Sequence, residues 1–271
     1  MMTDFFTTHV LTAFLVTVLA SLATVIGGAL VLFAKQPSPR LLSFGLAFAG
    51  GAMVYVSLTE ILNKSIAAFS EGYGEKFGFA YGSLSFLTGI LLVIMIDRLV
   101  PNPHEALDQA QVEQHNHNRK ALYRTGLLTL FAITAHNFPE GLATFFATLG
   151  SASVGMPLAV AIAIHNIPEG IAIALPVYMA TQNKRLALLA SFISGMAEPV
   201  GALLGYAILA PFMSPLVYGL VFGLIGGVMV FLALDELLPA AKRYAKGHET
   251  VYGLVTGMSV LSLSLVMFQF F

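Results

Sequence analysis

The chain has no cysteine and no tryptophan, and only 10% of its 271 residues are charged. Each shortage excludes something. Without cysteine there are no disulfides and no thiolate metal sites, so a bound metal must use imidazole, carboxylate, amide, thioether, backbone oxygen or water. A soluble domain carries roughly 25% charged residues. A chain with less than half of that, and with a mean hydropathy of +0.83, has lipid as its solvent. Without tryptophan, interfacial belts fall to the nine tyrosines and some of the 21 phenylalanines. The formal net charge is −1. There is no basic tract for nucleic acid and no acidic tail, and neither a P-loop nor a His-Glu-x-x-His pair occurs. Met1 to His9 contains no lysine or arginine, so the first apolar run reads as a retained span rather than a cleaved signal.

What remains is mostly apolar, and a bilayer core about 30 Å thick takes about 20 such residues per helical crossing. Apolar runs separated by turn residues predict eight helices, at approximately 8–34, 40–62, 78–99, 121–149, 156–180, 185–211, 214–238 and 250–271. The expectation is an all-α membrane protein of one eight-span domain, residues 1–271, with a polar, histidine-bearing loop at 101–120. Charge asymmetry orients it. Lys35, Arg40, Arg98, Arg119, Lys120, Arg124, Lys184, Arg185, Lys242, Arg243 and Lys246 fall at one end, and only Lys64 and Lys76 at the other. By the positive-inside rule, both termini face away from the cytoplasm, in a plasma membrane or a cell inner membrane.

The segment Gly50 to Leu62 is repeated at Gly226 to Leu238, with seven of 13 positions identical. In the topology above the two copies run in opposite directions. This predicts an inverted repeat, spans 1–3 against spans 6–8 around a central pair, a pattern typical of secondary transporters.

The central pair carries a second duplication. His136-Asn137-Phe138-Pro139-Glu140-Gly141 recurs as His165-Asn166-Ile167-Pro168-Glu169-Gly170, and no lysine or arginine lies within ten residues of either. A carboxylate in hydrocarbon persists only if it is protonated, paired or bound to a cation. On a helix, His136 and Glu140 share one face, as do His165 and Glu169, within reach of one ion. Asn137 and Asn166 point about 100° round, toward a neighbouring helix. Each proline frees a backbone carbonyl, at Ala135 and Ile164, which lipid cannot satisfy. Two such units on adjacent spans predict a metal site inside the membrane. Glu198, just before Pro199, is a third acid in mid-span, either a ligand or a hydrogen-bonded neutral acid. Met53 is either packing or a soft ligand. Glu60, Asp235 and Glu236 either line an entrance and exit or mark the headgroup level. His104, His115 and His117 in the polar loop are either solvated or a weak metal site for released ions.

The paired hexapeptides, Glu198-Pro199, the Asp235-Glu236-Leu237-Leu238-Pro239 run and the loop histidines resemble those of the ZIP (Zrt/Irt-like) divalent-metal transporters. The resemblance covers essentially the whole chain. It implies a two-metal centre built by spans four, five and six with help from span two. Its ligands would be His136, Asn137, Glu140, His165, Asn166, Glu169 and Glu198, with Met53 a further candidate. It also implies homodimers and uptake toward the cytoplasm. Nitrogen with carboxylate and amide oxygen suits zinc, iron, manganese, cobalt and cadmium ions over magnesium or calcium. The metal is then transported substrate rather than a catalytic cofactor, and the protein is not an enzyme. Two other readings, a membrane-embedded zinc hydrolase and a metal sensor, use the same residues. Whether a carrier or a channel-like pore is encoded stays open.

Overall fold

Apolar runs bounded by proline, glycine and asparagine become helices because a lipid-immersed backbone must satisfy its own hydrogen bonds. The structure, a computed structural model, describes residues 7–33, 39–98 and 119–270. Among the described residues every regular element is helical. The spans are, in order, Thr8–Phe33, Pro39–Tyr73, Glu75–Asp97, Arg119–Gly150, Ala152–Thr181, Lys184–Phe212, Pro215–Tyr244 and Glu249–Phe270. Seven of them are long and apolar enough to cross a membrane. The remaining one, Arg119–Gly150, is 32 residues long and carries the first hexapeptide. His104, His115 and His117 lie outside the described residues.

The second and seventh spans run further than expected. Their helices continue past Leu62 to Tyr73 and past Leu238 to Tyr244. Polar residues at Asn63, Lys64, Glu71, Lys242 and Arg243 resemble punctuation, but an amphipathic helical end carries such residues without breaking, with Asn63, Glu71 and Lys242 exposed and Lys64 and Arg243 partly buried. Each of these spans also contains a turn of π-helix, Ser57–Ile61 and Ala233–Leu237. The two π-turns occupy the same positions of the Gly50 and Gly226 segments.

Local chemistry sets the ends. Asn183 Oδ1 accepts a bond from the Leu186 amide at 3.1 Å, and Ser214 Oγ accepts one from Val217 at 3.2 Å. These are ordinary N-caps. Gly74, at φ 79°, allows the sharp reversal between spans two and three. Span six is interrupted at Met196, between Lys184–Gly195 and Ala197–Leu209. Pro199 falls in the first turn of the second half, where a missing N–H costs nothing.

Packing divides the helices into two groups. Spans one, four, five and six pack on one another, as do two, three, seven and eight; the groups meet chiefly where span two touches span five and span seven touches span four. Glycines allow the closest approaches. A Cβ at Gly51 would strike the backbone of Leu254, and one at Gly227 the backbone of Phe86. Gly257 lies likewise against Phe48, and Gly89 against Leu224. Small-residue contacts of this kind let membrane helices approach without a hydrophobic driving force.

Candidate metal centre

Each hexapeptide ends on a glycine for a steric reason. A side chain at Gly141 would meet the backbone of Glu198, and one at Gly170 the backbone of Thr24. Spans four and five are thereby pressed against spans six and one. Reciprocal contacts put Gly201 against Phe138 and Gly27 against Ile167. The two asparagines tie the same pairs of helices. Asn137 Nδ2 donates to the Ser194 carbonyl at 2.9 Å, and Asn166 Nδ2 donates to the Ala20 carbonyl at 3.2 Å.

Glu140, His165 and Glu169 converge, each offering a ligand atom within 4.8 Å of the others, and all three are fully buried. His136, Asn137, Asn166, Glu198 and Met53 are buried as well. His136 stands one turn before Glu140 but is not one of the three convergent groups. Glu198 sits in the first turn of the second half of span six, near the positive end of its dipole. Asn166 Nδ2 donates to its Oε1 at 2.6 Å. Glu198 is thus joined to the second hexapeptide. Glu60, Asp235 and Glu236 are elsewhere, all three in the π-turns and partly exposed.

Hydrogen bonding fixes which nitrogen of His165 faces the cluster. Its Nδ1 lies 3.0 Å from the Ala161 carbonyl, an acceptor, so Nδ1 carries the hydrogen and donates it. Nε2 then presents a lone pair, 3.3 Å from Glu140 Oε1, which also has only lone pairs when ionised. Two lone pairs face each other stably only with a proton or a cation between them. A histidine that donates one N–H to a backbone carbonyl and keeps the other nitrogen bare is oriented as a metal ligand.

The surrounding oxygens make the same demand. Both carboxylate oxygens of Glu169, Oε2 of Glu140 and of Glu198, and Oδ1 of Asn137 and Asn166 are buried with no hydrogen-bond partner among the described residues. All of these atoms are acceptors. An unsatisfied buried acceptor costs about 1–3 kcal/mol, more when charged, and a bound cation would relieve several at once. Nitrogen with carboxylate and amide oxygens fits a divalent transition metal.

Sequence reasoning missed span one. Thr24 is buried, its Oγ1 has no partner among the described residues, and its backbone backs Gly170. The signal was present. Thr17, Ser21, Thr24 and Gly28 follow one another at helical spacing in an otherwise apolar run, and all four are buried. Ser57 and Thr144, also buried with unpartnered hydroxyl oxygens, were likewise passed over.

The sequence as a whole matches the model of the ZIP zinc transporter family over residues 7–124 and 101–265. The chain belongs to this family. It is 66% identical over 257 residues to a zinc transporter ZupT of Stenotrophomonas maltophilia, covering 95% of this chain and 96% of the relative. Identity is 61% over 269 residues to the ZupT of Neisseria meningitidis serogroup B, covering 99% of this chain and all of that protein. It is 45% over 263 residues to the ZupT of Streptococcus mutans, with 96% and 98% covered. The ZIP family is one of transporters, which agrees with the apolar helices described above.

Proposed function

We propose that this chain carries zinc, and with it iron, manganese, cobalt and cadmium ions, across the cell inner membrane into the cytoplasm. The whole chain acts as one eight-span domain, with the helix Arg119–Gly150 as its fourth span and the 101–118 part of the polar segment as a cytoplasmic loop. The observation that carries the reading is the buried Glu140–His165–Glu169 cluster, whose carboxylates keep acceptor oxygens with no hydrogen-bond partner among the described residues. His136, Asn137, Asn166 and Glu198 complete the ligand set, and Met53 adds a soft thioether from span two. The ZupT names of the relatives support zinc as the substrate. Family membership favours transport over hydrolysis or sensing.

The paired contacts favour an inverted repeat. One offset relates Gly51 to Gly227 and Phe48 to Leu224, and another relates Phe86 to Leu254 and Gly89 to Gly257. Each contact therefore recurs with its partners exchanged. The asparagine bonds to Ser194 and Ala20 follow the same rule, with span one standing for span six. In this reading both termini face outward, Glu60 marks the outer entrance, Asp235 and Glu236 the inner exit, and the protein works as a homodimer. Metal enters the cluster, neutralises the buried carboxylates and leaves toward the cytoplasm.

The test is accumulation of radioactive zinc by proteoliposomes containing the pure protein. Wild-type protein should concentrate the ion and show counterflow. Glu140→Ala and Glu169→Ala should each abolish accumulation while inserting normally, and the double variant should be no worse, because the pair acts as a unit. Near-normal transport by either single variant would remove the shared site.

A further inference from the structure

Lys64 goes against the charge pattern of the chain. In the eight-span reading of the sequence, only it and Lys76 fall on the side opposite the other eleven basic residues. Its ammonium lies 2.7 Å from Glu60 Oε2, with 13% of the lysine side chain and 30% of the glutamate side chain exposed. Glu60 belongs to the π-turn that follows buried Met53 by a few residues, so it stands between the protein interior and the surface. Beyond the pair lies an open pocket of about 440 Å³, walled by Lys64 itself with Glu71, Ser214 and Tyr218. Glu60 is not part of that wall. Of the two charges it is the ammonium that borders the pocket, while the carboxylate keeps the larger exposed share.

A Glu–Lys pair four residues apart commonly does no more than support a helix. Three features here ask for more. The lysine is largely withdrawn from solvent, it lines a pocket of which its paired carboxylate is no part, and the repeat lacks it, since Ala240 holds the matching position in span seven. We propose that Lys64 is a tethered substitute for the transported cation: its ammonium occupies Glu60 until a metal ion displaces it, and returns behind the ion. The inference rests on Glu60 being the entrance residue. A transit site must bind well enough to admit an ion and weakly enough to release it. A bare glutamate in a half-buried position holds a divalent ion too long. A competing ammonium, fixed at high local concentration, weakens that hold and leaves no uncompensated carboxylate when the ion departs.

The test is zinc-uptake kinetics in proteoliposomes of the full-length chain, with reconstituted protein quantified in each case. Lys64→Met keeps the length of the side chain and removes the competitor. It should lower the apparent KM for zinc by about five-fold, the scale of a partly exposed ion pair, and lower the maximal rate as well. Lys64→Arg holds the carboxylate through two hydrogen bonds and should raise the apparent KM. In a Glu60→Gln background, Lys64→Met should change nothing further. A helix-supporting role would lower the rate or the amount of inserted protein without lowering KM, and that result overturns the proposal. If Lys64→Met fails to insert, the direction of the Lys64→Arg shift decides; an unchanged or lowered KM overturns it. Wild-type kinetics in Glu60→Gln itself would remove the entrance reading, and the lysine's role with it. A Glu60→Gln effect with no Lys64 effect on KM would remove only the latter.

Discussion

Replacing Glu169 by glutamine should stabilise the metal-free protein and abolish its response to zinc. Both oxygens of Glu169 are buried without a partner among the described residues, and a ligand atom of Glu140 lies within 4.8 Å. Two full charges at 4.8 Å would repel by about 3.5 kcal/mol at an effective dielectric constant of about 20, an upper limit to the gain because a proton held in the metal-free cluster relieves part of it. Glutamine removes that repulsion and adds an amide donor for a neighbouring acceptor, relieving a desolvation cost of about 1–3 kcal/mol. In a chain of this size each kcal/mol moves the melting temperature by about 2–4 °C. The metal-free variant should therefore melt several degrees above metal-free wild type in detergent. Zinc at about 100 times its dissociation constant stabilises a one-site protein by about 2.7 kcal/mol, and this increment should appear in wild type and vanish in Glu169→Gln. The assay is thermal unfolding with and without zinc, after chelation. The reasoning fails if Glu169→Gln melts below wild type in chelator, or if zinc still raises its melting point by the wild-type amount.

Other expectations follow from the same geometry. Gly141→Ala and Gly170→Ala each push a methyl into the backbone of a neighbouring span, at Glu198 and Thr24. Each should cost about 1–3 kcal/mol and reduce zinc uptake at least ten-fold, whereas Gly72→Ala, which meets nothing, should retain uptake. Asn166→Ala removes the 2.6 Å bond to Glu198 and should weaken zinc binding in a titration more than Asn183→Ala, a cap at a helix start, which should lower only stability, by about 1 kcal/mol. Cysteines introduced at Gly74 and Ser214 should react with an impermeant reagent from outside the cell, and one at Asn183 should not; the chain contributes no background thiol. Replacing His104, His115 and His117 by alanine should cost no more than a few-fold in uptake, while His165→Ala should abolish it, because a loop histidine can be replaced by water and a buried one cannot.

The cluster was readable in the sequence because its ingredients violate the rules of their surroundings. Glu140 and Glu169 can sit in apolar helices only if protonated, paired or joined by a cation, and their spacing from His136 and His165 already put imidazole and carboxylate on one face. Glu198 was visible for the same reason. Thr24, Ser57 and Thr144 were not, because a hydroxyl in a membrane helix ordinarily bonds to the carbonyl of the preceding turn, as Thr17 does to Ala13 at 2.9 Å. Only the fold shows that these three lack such a bond among the described residues. The same holds for the ends of spans two and seven. Lys64, Glu71, Lys242 and Arg243 resemble loop chemistry in a one-dimensional reading, and only the helical continuation shows them as the polar edge of a longer helix.

The π-turns at Ser57–Ile61 and Ala233–Leu237 make each of those spans two independently aimed rods. A π-turn takes in an extra residue relative to an α-helix, so what lies beyond it is rotated by about 100° from where straight winding would leave it. The stretch holding Met53 can then face span five while Ser65 and Phe69, beyond the joint, turn to meet Gly219 of span seven. Deleting one residue within Ser57–Ile61 would restore plain winding and swing Ser65 and Phe69 away from Gly219, though every side chain of the Glu140–His165–Glu169 cluster would be unchanged. Evolution by substitution on either side of the joint is correspondingly uncoupled: the inner rod can be tuned for the ion and the outer rod for the approach to it, without one disturbing the aim of the other.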